Sequence, residues 1–435
     1  MWFGRRIVVK VVLVGAGSAS FGRGAVADLL ASEELEQLGL EVVLVDVDEE
    51  ALGRMFKFAE LVRKHYGRSA RIRATADRRE ALPGAKYVIT AVARDRYKLW
   101  EQEFLIPFAY GFRQVYGENG GPGAAFHTLR SLHLMVPIAR DMEELCPDAL
   151  LINYSNPESR VCLGVSKLTR VKVVGLCHGA FDTLREVARI LGRSKEEIEI
   201  TIGGINHFHW VLEIWDRNTG EDLYPLFRRR MAESDWGLDG LTWKLYHTFG
   251  LFPFPAESHT GEYVGFGYDV TGPYWLSWSH EAARWKDEEV ERIRRVAKGE
   301  EPLTEDMAKP TEELAVPIIC DIELDRGKRE LSVNVPNEGP AVENLPEDAI
   351  VEVPAVVDRQ GVHPVKVGAL PEAIAAMCRL QISIQKLLVD AYRERSKELL
   401  LQALALDPTV DSIDRARAFM EEMLAREKEY LPEFR

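Results

Sequence analysis

Apolar residues fall first into short continuous runs. IVVKVVLV at residues 7–14 is bounded by the turn VGAGSAS and reads as a buried strand, followed by a helix from about Ser18 to Ala31. Similar runs recur at EVVLVD (41–46), RIRAT (71–75), KYVITAV (86–92), ALLINYS (149–155) and VKVVGL (171–176), with helical stretches between them. This alternation predicts an α/β fold, a Rossmann-like doubly wound parallel sheet with helices on both faces. Ligands gather at the carboxyl ends of such strands, where Arg94, Asn153, Asn156 and Cys177 fall.

The pattern changes further along. IEITIGGI and HWVLEIWD (198–205 and 209–216) are strand-like runs joined around His207 and His209 and closed by the polar turn RNTGED. Aromatic residues crowd the stretch from Trp236 to Trp285, suiting either a sugar-binding wall or packing. Residues 298–310 read as a polar surface loop. A helix near 311–324, strands at 330–335 and 349–357, a long helical stretch from Pro371 to Leu406 and a final amphipathic helix complete the chain. The organisation expected is a dinucleotide-binding domain over residues 1–195 and a mixed α+β substrate and oligomerisation domain over 196–435, since single cores rarely grow past about 250–300 residues.

Composition narrows the class. The 435 residues are 46% hydrophobic and 29% charged, and the formal net charge of −14 carries none of the basic footprint of a nucleic-acid binder. Five widely spaced cysteines cannot all pair, which fits a reducing cytoplasm. The N-terminus MWFGRR leads into an apolar run too short to span a bilayer, without a small-residue cleavage site; neither a targeting segment nor a transmembrane helix is expected.

Several residues carry candidate chemistry. Gly15, Gly17 and Ser18 form the turn over which a dinucleotide phosphate approaches bare backbone at a helix N-terminus, although Ser20 stands where a third glycine is usual. Asp46 ends the second strand, where a carboxylate binds an adenosine ribose and repels a 2′-phosphate, favouring NAD; its other reading is as cap of the helix near Asp48. Glu118 precedes a glycine-rich turn and Arg130 lies in the helix after it. Asn156 either caps the next helix or holds a sugar hydroxyl. Cys177, with His178 beside it, and His207 end two strands; a thiolate and an imidazole meeting there hold a metal with open positions, whereas a buried cysteine alone is a small hydrophobe. His209 is either a support for His207 or a core histidine.

In order, GAGS, GENGGPG with a following LR, NYSNP, LCHG and GINH resemble glycoside hydrolase family 4, as do VNVPNEG, LPEDAIVEVPAVVD and HPV. The likeness covers nearly the whole chain and implies an NAD- and manganese-dependent glycosidase. It implies Cys177 and His207 as the protein ligands of Mn²⁺, Glu118 as general acid, His178 in substrate contact or proton transfer, and Asn153 and Asn156 as substrate contacts, with Asn153 also near the cofactor. Tyr263 in HTGEYVGF matches the base, against a plain reading as a core aromatic. The residues after Cys177 resemble the subgroup acting on α-glucuronides, whose carboxylate needs a cation: Arg94, Arg96 or Lys98.

The family chemistry implied is hydride removal from sugar C3 to NAD⁺, loss of the acidified C2 proton, expulsion of the C1 leaving group, water addition and return of the hydride. The expected partner is a small glycoside or oligosaccharide, bound by a homodimer or homotetramer. Sister readings are an α-galacturonidase, an α-glucosidase or an α-galactosidase. Other classes are an NAD-dependent hydroxy-acid or polyol dehydrogenase, told apart by net NADH, and a non-catalytic NAD sensor, which has no need of a metal centre.

Overall fold

The computed structural model describes residues 8–435. The first residue of the predicted strand 7–14 and the expected absence of a targeting segment at MWFGRR lie outside the described residues.

One sheet of twelve strands organises the chain. Its parallel part comprises β1 (Val9–Val14), β2 (Leu40–Val45), β3 (Arg71–Thr75), β4 (Tyr87–Thr90), β5 (Leu150–Asn153) and β6 (Lys172–Gly175). They lie in the order 3-2-1-4-5-6, the doubly wound arrangement predicted from the alternating pattern. β1 and β2 are buried at every position, as their apolar runs require, with Lys10 and Glu41 the one charged residue in each. β3 is the edge, and it alternates exposed arginines: Arg73 pairs with Glu41 at 3.5 Å, a charged margin that discourages further strand pairing.

Strands from the second half continue the same sheet rather than building another. They are β7 (Ile198–Ile205), β8 (Phe208–Asp216), β9 (Phe252–Pro253), β10 (Lys328–Pro336), β11 (Ile350–Asp358) and β12 (Gly361–Pro364). β10 joins β6 in antiparallel fashion through the pair Asn334 and Gly175, and β11 joins β7 through Glu352 and Gly204. β7 and β8 form a hairpin closed by Ile205 opposite Phe208, so Asn206 and His207 make its turn. Cys177 lies two residues beyond β6. The topology thereby carries the end of a parallel strand and the tip of an antiparallel hairpin to one place.

Helix boundaries differ from expectation where local chemistry intervenes. The stretch Pro371–Leu406 is two helices, Glu372–Glu394 and Lys397–Leu406: Arg395 turns into the left-handed region at φ 56° and the Ser396 hydroxyl caps Leu399 N–H. The expected loop 298–310 holds a short helix, Glu305–Ala308, because Met307 and Ala308 are buried. The aromatic stretch forms much of the helix Tyr274–Ala297. Trp275 stacks on Phe104 at 5.0 Å, and Trp278 packs on Trp100 at 5.0 Å and Tyr116 at 5.1 Å, so these tryptophans anchor that helix on Arg96–Ala109. No described helix is long and apolar enough to cross a membrane.

A buried carboxylate ties the antiparallel strands together. Glu352 of β11 accepts from His209 Nδ1 of β8 at 2.9 Å and from Ser332 Oγ of β10 at 2.8 Å. His209 Nε2 lies 2.8 Å from Thr183 Oγ1, so this imidazole is a brace between the sheet and the helix Gly179–Leu191. Glu352→Ala orphans two buried donors, each costing roughly 1–3 kcal/mol. Urea unfolding is expected to show a loss in that range per donor; an unchanged midpoint would remove the brace from the account.

Candidate active site

Cys177 Sγ and His207 Nε2 face each other at 3.2 Å. His207 sits at φ 60°, a conformation costly for a residue with a side chain and held here by the hairpin turn. Its ring stacks on Phe254 at 5.8 Å and meets His259 edge-on at 4.3 Å. Phe254 also packs against Gly179: a Cβ there would lie 2.9 Å from the ring. Burial first, then the neighbouring histidines 259, 178 and 209, holds His207 well below the ordinary imidazole range, so the ring is neutral. Burial likewise pushes the Cys177 thiol well above its usual value, while the Gly179 N–H at 3.4 Å opposes.

A neutral imidazole and a cysteine sulfur aimed at one point fit a divalent metal. Among the described residues no group of three or more His, Cys, Asp or Glu side chains could hold such an ion, so the pair leaves positions open.

Glu118 is buried and takes Arg96 Nη2 at 2.9 Å on one oxygen and Asn119 Nδ2 at 3.3 Å on the other. The Arg96 side chain is 32% exposed against 3% for Glu118, and its guanidinium lies over the Trp100 ring at 5.1 Å. Tyr263 is buried, with its hydroxyl donating to the Asn206 carbonyl at 3.0 Å. Burial drives this phenol well above its ordinary value; the charge of Arg160 opposes that rise. Arg160 donates through Nη1 to Ala124 O and Thr128 Oγ1, while its Nε and Nη2 are buried without partners. Both amide atoms of Asn206 are likewise buried and unpartnered. Unsatisfied donors and acceptors this close to a candidate base are groups left for a ligand or water.

The dinucleotide signature is arranged as its turn requires. Gly15 has φ +87°, and a Cβ there would fall 2.3 Å from Ala91 O. Gly17 N–H donates to Asp46 Oδ2 at 2.8 Å, while Asp48 caps the helix Glu49–His65, which disposes of the capping alternative for Asp46. The third close approach falls to Gly22, two places after Ser20: a Cβ there would stand 2.3 Å from Ala16 O. The helix Phe21–Ala31 starts without a side-chain cap, and Ser18 Oγ lies 3.3 Å from Ser20 Oγ. A cavity of about 180 Å³ runs from this helix start, past Ile89 and Tyr154, to His178 and Glu313. The glycine turn and the strand-tip carboxylate fit the phosphate and ribose of a dinucleotide, and the cavity opens beside that helix start.

Other expected residues lie elsewhere. The Asn153 amide is committed inside the protein, accepting from Thr90 Oγ1 and Ser155 N–H and donating to Ser155 O, so it shapes the turn. Arg130 is buried on Glu103, at 2.5 Å, and reaches Arg94 O; its charge is spent there rather than offered to a substrate. Arg94 is exposed over the Tyr430 ring at 5.0 Å. Lys98 is also exposed. Asn156 is half-buried, its carbonyl accepting from Ser131 Oγ. The His178 side chain is 60% exposed between Glu313 at 3.7 Å and Asp182 at 4.0 Å, on the rim of the metal pair. The sequence does not single out His259, Glu262, Arg160 or Asn206, although His259 and Glu262 lie in HTGEYVGF, Asn206 lies in GINH and Arg160 follows the NYSNP motif by three residues. Their neighbouring letters carried the signal.

Two family profiles match the chain, "Family 4 glycosyl hydrolase" over residues 10–193 and "Family 4 glycosyl hydrolase C-terminal domain" over residues 202–410. An α-glucosidase of Erwinia rhapontici is 32% identical over 98% of this chain and 99% of its own length. An α-galactosidase of Bacillus subtilis is 32% identical over 98% and 100%, and an α-galacturonidase of the same organism 29% over 94% and 95%. A 6-phospho-α-glucosidase from gut microorganisms, solved in complex with NAD and Mn²⁺, superimposes with a TM-score of 0.84 at 22% identity, over 98% of this chain and all of that one. With these matches running end to end, the chain belongs to family 4 of the glycosyl hydrolases and is a glycosidase.

Proposed function

We propose that the protein hydrolyses α-linked uronosides, α-glucuronides first, with residues 1–195 holding NAD and residues 196–435 completing the substrate side. The observation that carries the reading is the Cys177 and His207 pair, 3.2 Å apart, taken with the partly exposed cation Arg96 that pairs with Glu118. Gly15, Gly17, Ser18 and Asp46 would hold the NAD, and Cys177 and His207 a divalent metal such as Mn²⁺; bound there, these groups would supply a reversible hydride acceptor for sugar C3 and Lewis-acid polarisation of the neighbouring sugar oxygens.

The chain's own groups then move protons. Tyr263 acts in its deprotonated form, which the charge of Arg160 favours, and receives the C2 proton at its phenolic oxygen. Arg96 receives the substrate carboxylate in place of Glu118. Glu118, in its carboxylic acid form, passes its proton to the leaving oxygen as the bond to C1 breaks. Phe254 and His259 wall the metal pair against water, and Asn156 and His178 border the sugar. A homodimer or homotetramer in a reducing cytoplasm completes the reading, which the five unpaired cysteines support.

A second reading is a neutral α-glucosidase or α-galactosidase, favoured by the two relatives at 32% identity. The reduced protein is expected to release chromophore from an aryl α-glucuronide only with both NAD⁺ and Mn²⁺, without net NADH. Cleavage of an α-galacturonide or a neutral α-glycoside instead overturns the glucuronide assignment but keeps the mechanism. Net NADH from a free sugar or hydroxy acid sinks the hydrolytic route.

Two variants test the named residues. Cys177→Ala and His207→Ala are each expected to weaken Mn²⁺ binding at least roughly 10-fold, followed by the electron paramagnetic resonance signal of free Mn²⁺; unchanged binding by both would move the metal elsewhere. Arg96→Ala is expected to lower kcat/KM for the glucuronide roughly 10-fold or more relative to the matching glucoside, the scale of a charge-assisted pair. An unchanged ratio would remove Arg96 as the carboxylate's partner.

A further inference from the structure

We infer that Glu262 is a positioning residue, one buried carboxyl that holds the loop carrying Glu118 against the turn carrying Tyr263. The inference rests on the hydrolytic reading above and assigns a role to a residue that touches neither substrate nor metal in it.

Three consecutive backbone N–H groups converge on one oxygen: Glu262 Oε1 accepts from Glu118 at 2.6 Å, Asn119 at 3.0 Å and Gly120 at 3.4 Å. Its second oxygen takes Asn119 Nδ2 at 3.4 Å, and the same amide nitrogen donates to Glu118 Oε2 at 3.3 Å. One asparagine therefore bridges the two carboxyl groups. The next N–H along, that of Gly121, donates to buried Asp407 at 3.0 Å, so four successive amides of this loop end on acidic side chains. The approach is close enough to exclude a side chain at position 120, where a Cβ would fall 2.2 Å from the Glu262 carbonyl oxygen.

Glu262 and Tyr263 share the single turn Gly261–Tyr263. Its tyrosine end is fixed separately: the Tyr263 carbonyl accepts from Gln381 Nε2 at 3.1 Å and its hydroxyl reaches Asn206 O. The loop and the turn are thus rigidly joined through one side chain. Burial, followed by the charge of Glu118, pushes the Glu262 carboxyl up to about 8, against the pull of the three amides.

The join matters at one moment in the reaction. Glu118 has two side-chain partners, Arg96 and the adjacent Asn119. When a substrate carboxylate takes Arg96, what keeps Glu118 over the leaving oxygen is its backbone and the Asn119 amide, and Glu262 holds both. Without it the acid is present but misplaced, and proton delivery to the departing oxygen fails first where departure most needs it.

The test uses full-length Glu262→Ala and the isosteric Glu262→Gln, with NAD⁺ and Mn²⁺, on aryl α-glycosides of graded leaving-group acidity. For the wild type the slope of log kcat/KM against leaving-group pKa is expected to be shallow. In Glu262→Ala it steepens, the least acidic leaving group losing roughly 10²-fold, the scale of a general acid, while the most acidic one changes only a few-fold. Glu262→Gln, which keeps an acceptor oxygen for the amides, lies between, and serves if the alanine variant does not fold. An equal loss across the series, or no loss, overturns the inference, because a merely structural defect strikes every substrate alike. A wild type that cleaves none of the series overturns the hydrolytic reading instead.

Discussion

The site depends on a carboxylate buried where water cannot stabilise it. Glu352 is tolerable at the centre of the sheet because two donors satisfy it, Ser332 from the neighbouring β10 and His209 from β8, one strand beyond the neighbouring β7. Those bonds tie β10 and β8 to β11, and β8 leads directly back to the hairpin turn that presents His207. The imidazole that braces the sheet stands two residues from the imidazole that faces Cys177. Stability and chemistry are therefore set by adjacent side chains of one strand, and each constrains the other.

The parallel half was legible because most of its strands are short, largely apolar runs and its first turn carries glycine, features that local sequence displays. Of the antiparallel strands, β7, β8, β10 and β11 were visible as strands but their place was not, and the short β9 and β12 were not visible at all. Pairing of β10 with β6 rests on Asn334 meeting Gly175, residues 159 positions apart, and no local pattern announces such a partner. The helix break at Arg395 was hidden for a related reason: the left-handed conformation usually signalled by glycine is taken here by an arginine.

The candidate site divides the same way. Cys177 and His207 were found because strand ends with ligating side chains are meaningful on their own, and the structure brings them within contact. Arg130 misled because a cation looks available in sequence until the buried acid that claims it, Glu103, is seen 27 residues earlier on another helix. Asn153 misled likewise, since an amide can serve its own turn. Gly22 shows the converse: the close approach is demanded by helix packing and is met two places from the position the usual spacing names.

The sheet has two narrow joints. Antiparallel pairing is registered at a single residue pair where β10 meets β6 and again where β11 meets β7, whereas its other junctions run over longer stretches or lie at the margin. Cys177 follows the strand on the outer side of the first joint, and His207 follows the strand on the outer side of the second. A sheet bends most readily where fewest ladder bonds resist, so it yields first at these two joints and not within the well-laddered strip of β10 and β11 between them. Cys177 and His207 each follow a strand that borders one joint, so flexing of the sheet is felt first in the distance between them.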